Sequence, residues 1–344
     1  MPDIAEEYRI ISSGAGWSDR RRGRLRFEGP DALTFLQALL TNDVASLVRG
    51  EGRYSAYLTP NGRMIADVEL LHRGDWVLGC VPDGLAPSLA QRFDQLIFSE
   101  DLRVTDASAS LYEMTALGEG VMDALARAFE LDAGALASLP ESAQIDWAEG
   151  FVSRSGGASC PVFKVFGEAE GRESAIRRLE ARGIVHVSDE LIEALRVAAG
   201  RPAWGAELTE QTIPLEAGQL DRAISTTKGC YVGQEIIIRM LHRGGGRVAK
   251  RLVTLTIGAG LALRLRSAQE PRSLGKGPEA LPVPGAVLTD DAGASIGALT
   301  SVVPSLTEDG FVALGYLRDD QATIGARVTV AGSGAMAVVT GFGG

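Results

Sequence analysis

The sequence has few of the residues that build metal centres and disulfide frameworks. Its 344 residues include only three histidines and three cysteines. The cysteines lie far apart, at Cys80, Cys160 and Cys230. Such spacing indicates neither a disulfide framework nor a zinc knuckle, and three scattered histidines argue against a histidine-built metal centre. We therefore predict no metal site.

Long apolar runs are absent as well. The longest is far shorter than the roughly 20 residues that a transmembrane helix requires, and no charged-then-apolar leader opens the chain. We therefore expect a cytoplasmic protein without a membrane partner. A chain of 344 residues is too long to fold around a single hydrophobic core of ordinary size, so we predict two or three domains.

Positive charge is scarce overall but concentrated in one segment. The whole chain carries a formal net charge of −10, whereas residues 228–251 contain six Lys or Arg and one acid, Glu235. A basic segment in an acidic protein favours a local anion site over a nucleic-acid-coated surface.

That segment begins with Lys228-Gly-Cys-Tyr-Val-Gly-Gln-Glu235. Gly229 and Gly233 permit backbone conformations and close approaches that a Cβ would forbid. We expect Cys230 to lie between them on a tight turn, where positive neighbours favour its reactive thiolate form. Alternatively, Cys230 simply packs as a small apolar residue before the strand-like run Ile236–Ile238.

The spacing of this motif resembles the signature of the YgfZ group of folate-binding proteins. That group acts late in iron–sulfur protein maturation and is related to the aminomethyltransferase (T-protein) of the glycine cleavage system. The resemblance runs from about residue 16 to the C-terminus. It is supported by four further stretches in family order: Gly29–Ala32, Thr41–Asp43, Gly62–Asp67 and Ile213–Gly218.

The resemblance implies an α+β protein with three domains around a central channel and a C-terminal antiparallel β-barrel. We expect an α+β domain over residues 1–100, completed by part of residues 188–250, and a second α+β domain over 101–187. Residues 188–250 form a return segment that carries the motif, and residues 251–344 form the barrel. The short β runs separated by glycine and proline after Arg251 predict by themselves a small antiparallel barrel or sandwich.

The apolar pattern predicts several local elements. Asn-Gly and Gly-Asp turns between apolar runs predict a three-strand meander over Tyr54–Leu58, Met64–His72 and Trp76–Val81. Residues 133–142 read as a loop. The five arginines between Asp19 and Phe27 are expected on the solvated side of an edge strand, with phosphate or carboxylate binding as the alternative.

Asp67 is the first candidate for chemistry. The resemblance aligns Ala66-Asp67 with a pair of aspartates in T-protein, whose second member assists folate-dependent carbon transfer. Alternation along a strand places Asp67 with Glu69, opposite the apolar face. We expect its carboxylate to face either a cleft or water.

Two positions depart from T-protein. By alignment, the glutamate of the Leu-Arg-x-Glu-Ala-Gly helix is Ala198 here, and the glutamate that holds the pterin ring is Lys164. A carboxylate accepts paired hydrogen bonds from a pterin, whereas an ammonium has no acceptor. These substitutions argue against folate binding in the T-protein pose.

The remaining candidates surround the same predicted site. The resemblance implies folate contacts for Lys228, Tyr231, Gln234, Glu235, Glu216 and Arg239. Alternatively, Glu216 caps a turn, Gln234 orders the backbone at Gly233, and Arg239 belongs to a solvated turn after a strand, together with Arg243.

We therefore predict a tetrahydrofolate-binding accessory protein that supports maturation or repair of iron–sulfur enzymes and, through them, tRNA modification. Its partners would be folate and iron–sulfur enzymes or assembly factors, with Cys230 and Asp67 as the reactive groups. One alternative is a tetrahydrofolate-dependent one-carbon (aminomethyl) transferase or demethylase. A second is an RNA-binding module.

Overall fold

The computed structural model describes residues 4–19, 21–156, 159–242, 245–258 and 281–344. The chain forms two compact units. Unit 1 contains residues 1–192 and 220–234, and unit 2 contains residues 193–219 and 235–344. The predicted four-segment domain division stays a prediction.

Unit 1 contains short helices and two sheets. Its helices are α1 (Ile4–Ile11), α2 (Ala32–Leu39), α3 (Ala86–Asp94), α4 (Val121–Phe129), α5 (Ala133–Ser138), α6 (Arg172–Glu180), the first part of α7 (Asp189–Ala198) and α8 (Leu220–Ala223). Its strands are β1 (Gly16–Ser18), β2 (Gly23–Glu28), β3 (Gly52–Leu58), β4 (Met64–His72), β5 (Trp76–Val81), β6 (Arg103–Asp106), β7 (Leu111–Leu117), β8 (Gln144–Trp147), β9 (Gly150–Ser155), β10 (Val162–Glu168) and β11 (Val185–His186).

The first sheet has the strand order β3-β4-β5-β2-β6, with antiparallel neighbours. The predicted meander is confirmed as β3, β4 and β5. Residues of α2 and α3 cover one face of the sheet and build a buried apolar core around Phe27, Leu36 and Phe93. This burial removes the apolar stripes of both helices from water, which is the main favourable term in folding.

The second sheet has the order β11-β1-β7-β10-β9-β8. Helices α4 and α6 contribute Leu125 and Leu179 to the core on one of its faces. A smaller cluster, which includes Leu71, Leu78, Phe151 and Phe166, joins strands of the first sheet to strands of the second. The two sheets of unit 1 therefore share a buried junction.

The arginine-rich strand is not an edge strand. β2 lies between β5 and β6, and Arg24 is only 3% exposed. The prediction of a solvated edge was wrong because the side-chain charge of a strand does not reveal how many neighbours its backbone has. Arg20 lies outside the described residues.

Two further local predictions were wrong. Residues 236–238 belong to helix α9 (Gln234–His242), and residues 133–138 form α5. A short apolar run does not distinguish a strand from a helix by its periodicity alone. Here the side chain of Asp132 accepts a hydrogen bond from Ala135 N at 2.7 Å and so caps the start of α5.

Unit 2 consists of the end of α7, most of α9 and a closed barrel. The barrel strands are β12 (Lys250–Ile257), β13 (Val287–Thr289), β14 (Ser295–Pro304), β15 (Phe311–Arg318), β16 (Arg327–Val330) and β17 (Ala335–Phe342). They close in the order β12-β15-β14-β13-β16-β17, with every pair antiparallel. The predicted α+β class and the C-terminal antiparallel barrel are confirmed.

Across the described part of the chain, no helix is long and apolar enough to cross a membrane.

Candidate functional site

Strand β4 has one apolar face and one acidic face. Ala66, Val68 and Leu70 point into the core of the first sheet. Asp67 and Glu69 alternate with them, and both are buried, at 6% and 3% exposure. The acidic face is therefore covered by protein rather than solvated.

Arg22 holds Asp67. The Arg22 guanidinium lies 2.5 Å from Asp67 Oδ2 through Nη2. Burial lowers the pKa of Arg22, but Asp67, Tyr54, Glu69 and Cys80 together outweigh burial and raise that pKa above its usual range. Burial and the nearby Asp67 raise the pKa of Tyr54.

Lys164 holds Glu69. Its ammonium lies 2.5 Å from Glu69 Oε2 and 3.9 Å from Glu113 Oε1, while Ser142 Oγ donates to Glu69 Oε1 at 2.8 Å. Burial works against ionisation, yet Lys164 lowers the pKa of Glu69 to about 2. Lys164 is thus the counterion of two buried carboxylates.

A pocket of about 360 Å³ opens in unit 1 beside these pairs. It is lined by Glu51, Gly52, Arg53, Tyr54, Pro140, Glu141, Ser142, Ala143, Asp221 and Arg222. Two lining residues connect it to Glu69 on the acidic face, because Ser142 donates to the Glu69 carboxylate and Tyr54 is the β3 residue paired with Glu69. Asp67 lies two residues away on the same strand face and is not itself a lining residue.

The pocket wall carries a planar surface and a strained residue. The Arg222 guanidinium lies 3.8 Å from the centre of the Tyr54 ring and pairs with Glu141 at 2.9 Å. Ser142 has φ +61°, a left-handed conformation that is uncommon for a residue other than glycine. Non-glycine residues in such conformations concentrate at binding sites.

The side chain of Lys228 binds backbone carbonyls at the end of α2, a role that the sequence motif did not predict. Its ammonium donates to the carbonyl oxygens of Gln37, Leu40 and Asn42 at 2.6, 2.6 and 2.9 Å. These carbonyls lie at or just beyond the end of α2, where the last carbonyls of a helix lack internal partners. Burial lowers the pKa of Lys228 to about 8, which leaves the ammonium predominantly protonated at neutral pH. The carbonyls thus engage the ammonium that we expected to activate Cys230.

Cys230 is exposed and is not among the residues that line the pocket. Of the two glycines predicted to form a tight turn around Cys230, only Gly233 has a conformation that requires glycine. Gly233 has φ +84°, and a Cβ there would lie 2.6 Å from Thr59 O, in the turn between β3 and β4. Gly229 has neither a left-handed φ nor a neighbour within 4 Å. The alternative in which Cys230 packs in a core is excluded.

The other motif residues differ in burial. Tyr231 is 7% exposed, its ring centre lies 5.4 Å from Lys228 Nζ, and burial raises its pKa to about 12. Gln234 begins α9, and its backbone N–H donates to Tyr231 O at 3.3 Å. Tyr231 is therefore a buried anchor beside the exposed thiol.

Three predicted residues belong to unit 2. Glu216 is 5% exposed, and its backbone closes a turn with Ile213 and accepts from Leu252 N. Glu235 and Arg239 are exposed on α9. A common site for these three with Asp67 stays a prediction. Arg243 lies outside the described residues.

Sequence reasoning did not select Arg22, Tyr54, Glu69 and Arg222 as site residues. Glu69 shares a strand face with Asp67, and this alternation was the one local signal that could have identified it. Tyr54 lies on the neighbouring strand β3, whereas Arg22 and Arg222 come from distant parts of the chain and reach Asp67 and Tyr54 only after folding. Within the described residues, no group of three or more His, Cys, Asp or Glu side chains could hold a metal ion.

The sequence matches one protein family and several transferases. The family described as GCVT N-terminal domain matches residues 1–228. An aminomethyltransferase of Rubrobacter xylanophilus is 30% identical over 317 residues, which cover 90% of this chain and 82% of the relative. A putative chloroplastic transferase of Arabidopsis thaliana is 27% identical over 313 residues, covering 90% of this chain and 66% of the relative.

The fold itself has a solved counterpart. The glycine cleavage system aminomethyltransferase T of Bartonella henselae superposes with a TM-score of 0.81 at 22% sequence identity. The match covers 98% of this chain and 88% of that one. At this identity the similarity concerns the fold alone.

Proposed function

Because this chain belongs to the GCVT family, we propose that it binds a reduced folate in unit 1 and uses it in one-carbon transfer of the aminomethyltransferase type. The observation that carries the proposal is the pocket of about 360 Å³, which is lined by Tyr54 and by Ser142, a hydrogen-bond partner of the buried Glu69. Pockets that bind small molecules usually measure about 300–1,000 Å³ and contain a few convergent polar groups.

The residues around the pocket fit the chemistry of a folate. A folate combines a flat pterin with ring N–H donors, an aromatic linker and a glutamate tail with two carboxylates. Tyr54 and Arg222 provide planar surfaces on which a ring can stack. Arg53 lines the pocket and provides a guanidinium for a tail carboxylate. Asp67, which does not line the pocket, is the acceptor that we assign to the N–H groups of the folate.

When bound, tetrahydrofolate supplies the acceptor for the one-carbon unit. The residues of this chain bind and orient it: Asp67 accepts a hydrogen bond, and Tyr54 and Arg222 form the wall against which the ring lies. Glu69, Lys164 and Ser142 hold the wall from behind. The substitutions at Lys164 and Ala198 argue against folate binding in the T-protein pose. They do not remove the residues named above, which offer a folate another set of contacts.

Calorimetric titration with 5-formyltetrahydrofolate tests the proposal. We expect micromolar binding by the wild type and a loss of at least about 10-fold in affinity for Asp67→Asn, which keeps the shape but removes the charge. Asp75→Asn, in the exposed turn after β4, serves as the control and should bind normally. A wild-type protein that binds no folate contradicts the proposal.

A second function is supported by a different observation. Cys230 is exposed beside the half-buried Lys228 and the buried Tyr231, and an aminomethyl transfer to folate does not require this thiol. We propose as the alternative a folate-binding accessory protein that uses Cys230 in the maturation or repair of iron–sulfur enzymes. Through those clients it would act on tRNA modification.

Complementation separates the two functions. A strain that lacks its own YgfZ-type protein receives the wild type, Cys230→Ala or Asp67→Asn, and iron–sulfur enzyme activity is measured. The accessory function predicts restoration by the wild type and failure of Cys230→Ala. Folate-dependent transfer that needs Asp67 and is unaffected by Cys230→Ala supports the transferase instead.

A further inference from the structure

We infer that Arg22 is a positioning residue for Asp67, holding its carboxylate in a fixed orientation for the proposed folate. The inference rests on the proposed folate site. Arg22 belongs to the arginine-rich stretch that the sequence assigned to a solvated edge, and neither proposed function uses that stretch.

The guanidinium is fixed at three points. Nη2 contacts Asp67 Oδ2 at 2.5 Å and donates to the Asp67 backbone oxygen at 3.3 Å, while Nε donates to Val81 O at 3.3 Å. Arg22 is thereby tied to both β4 and β5. Its position does not depend on the carboxylate alone, so the carboxylate is oriented by a group that is itself anchored.

The burial of the pair explains why Asp67 needs this partner. The Asp67 side chain is 8% exposed and that of Arg22 is 22% exposed. A carboxylate this far from water loses most of its hydration, and protein donors must replace that water. Arg22 provides such a donor here.

The neighbouring buried acids have bases of their own. Lys164 contacts Glu69 at 2.5 Å, and Arg24 lies 3.7 Å from Glu113. Among the described residues, Arg22 is the cation in salt-bridge contact with Asp67. Its removal would therefore leave the Asp67 charge without a substitute cation in contact.

The consequence concerns ligand binding. An ionised carboxylate has about four lone-pair positions, and the protein donors occupy only some of them. The others are presented in a fixed plane, so a ligand N–H meets an acceptor that is already ordered, and less entropy is lost on binding.

A double-mutant cycle tests the inference. Affinity for 5-formyltetrahydrofolate is measured by calorimetry for the wild type, Arg22→Gln, Asp67→Asn and the double variant, after circular dichroism confirms that each is folded. We expect Arg22→Gln to weaken binding at least about 10-fold in the wild-type background and less than about 2-fold in the Asp67→Asn background. Arg22→Lys, which retains the charge, should recover part of the affinity.

Arg26→Gln is the matched control. Arg26 lies on β2, pairs with the partly exposed Glu28 and stacks on Trp76, so its loss should leave folate affinity unchanged. Equal losses for Arg22→Gln in both backgrounds, or full affinity in a folded Arg22→Gln, overturn the inference while the folate site stands. Absence of folate binding by the wild type overturns the proposed site and this inference together.

Discussion

At the level of single residues, the junction between the two sheets of unit 1 contains paired charges. Asp67, Glu69 and Glu113 are buried acids, and each has a buried or half-buried base within 4 Å. Removing one member of a buried pair leaves an uncompensated charge and usually costs about 3–5 kcal/mol. Lys164, which departs from the T-protein pattern, is thus explained locally as the counterion of Glu69.

The Glu69 pair makes stability depend on acid pH. The folded-state pKa of Glu69 is lowered from 4.5 to about 2 by Lys164, against the opposing effect of burial. A carboxyl group whose pKa is lowered on folding stabilises the protein at pH values above its pKa in the unfolded chain. This contribution is lost as pH falls from about 4.5 towards 2. We expect the urea-unfolding free energy of the wild type to fall over this window by up to about 3 kcal/mol more than that of Glu69→Gln.

The control for that measurement is Glu28→Gln, whose side chain is 39% exposed. It should follow the pH dependence of the wild type. Identical slopes for the wild type and Glu69→Gln would mean that Lys164 does not stabilise the ionised Glu69.

At the level of elements, the side chain of Lys228 caps the C-terminal end of α2, a helix that lies far from it in sequence. Its ammonium satisfies carbonyls of Gln37, Leu40 and Asn42, as cations commonly do at helix C-termini. Lys228→Met should lower the urea-unfolding free energy by about 1–3 kcal/mol, because buried carbonyls lose their donor. Lys250→Met, at the half-buried start of β12, is the matched substitution and should cost less. Equal losses for the two variants would contradict the structural task of Lys228.

The turn between β3 and β4 restricts residue 233 to glycine. Gly233 has φ +84°, and a Cβ would lie 2.6 Å from Thr59 O. Gly233→Ala should therefore destabilise the protein by about 1–3 kcal/mol in urea unfolding. Gly229→Ala, at a glycine without close neighbours, should change stability by less than about 0.5 kcal/mol. Similar effects at the two glycines would be inconsistent with the observed contact.

At the level of the whole molecule, net charge bears on the RNA-binding alternative. The chain has a formal net charge of −10 at pH 7. Within its basic segment, residues 228–251, Arg239 and Arg247 are exposed. We expect tRNA binding no tighter than the roughly 10⁻⁶–10⁻⁴ M of non-specific association, and weaker as salt rises, because phosphate contacts release counterions. Anisotropy of labelled tRNA at low and high salt measures this, and nanomolar, salt-insensitive binding would contradict it.

Much of the fold was accessible from local patterns. The meander follows from alternating apolar residues between Asn-Gly and Gly-Asp turns, and β3, β4 and β5 lie where this pattern predicts. The short β runs after Arg251 predict an antiparallel barrel or sandwich, and the family resemblance selects the barrel that the structure shows. The run Ile236–Ile238 shows the limit, because three apolar residues in a row fit a strand or a helix equally well.

Local sequence was sufficient to specify which residues alternate along β4, where the barrel begins, and which motif contains Cys230. The pairing of Asp67 with Arg22, the pairing of Glu69 with Lys164, and the position of the Lys228 ammonium at the end of α2 emerged only on folding. The physical reason is that periodicity reports which face of an element is buried. The partner of a buried charge is brought from a distant part of the chain, and no local pattern specifies it.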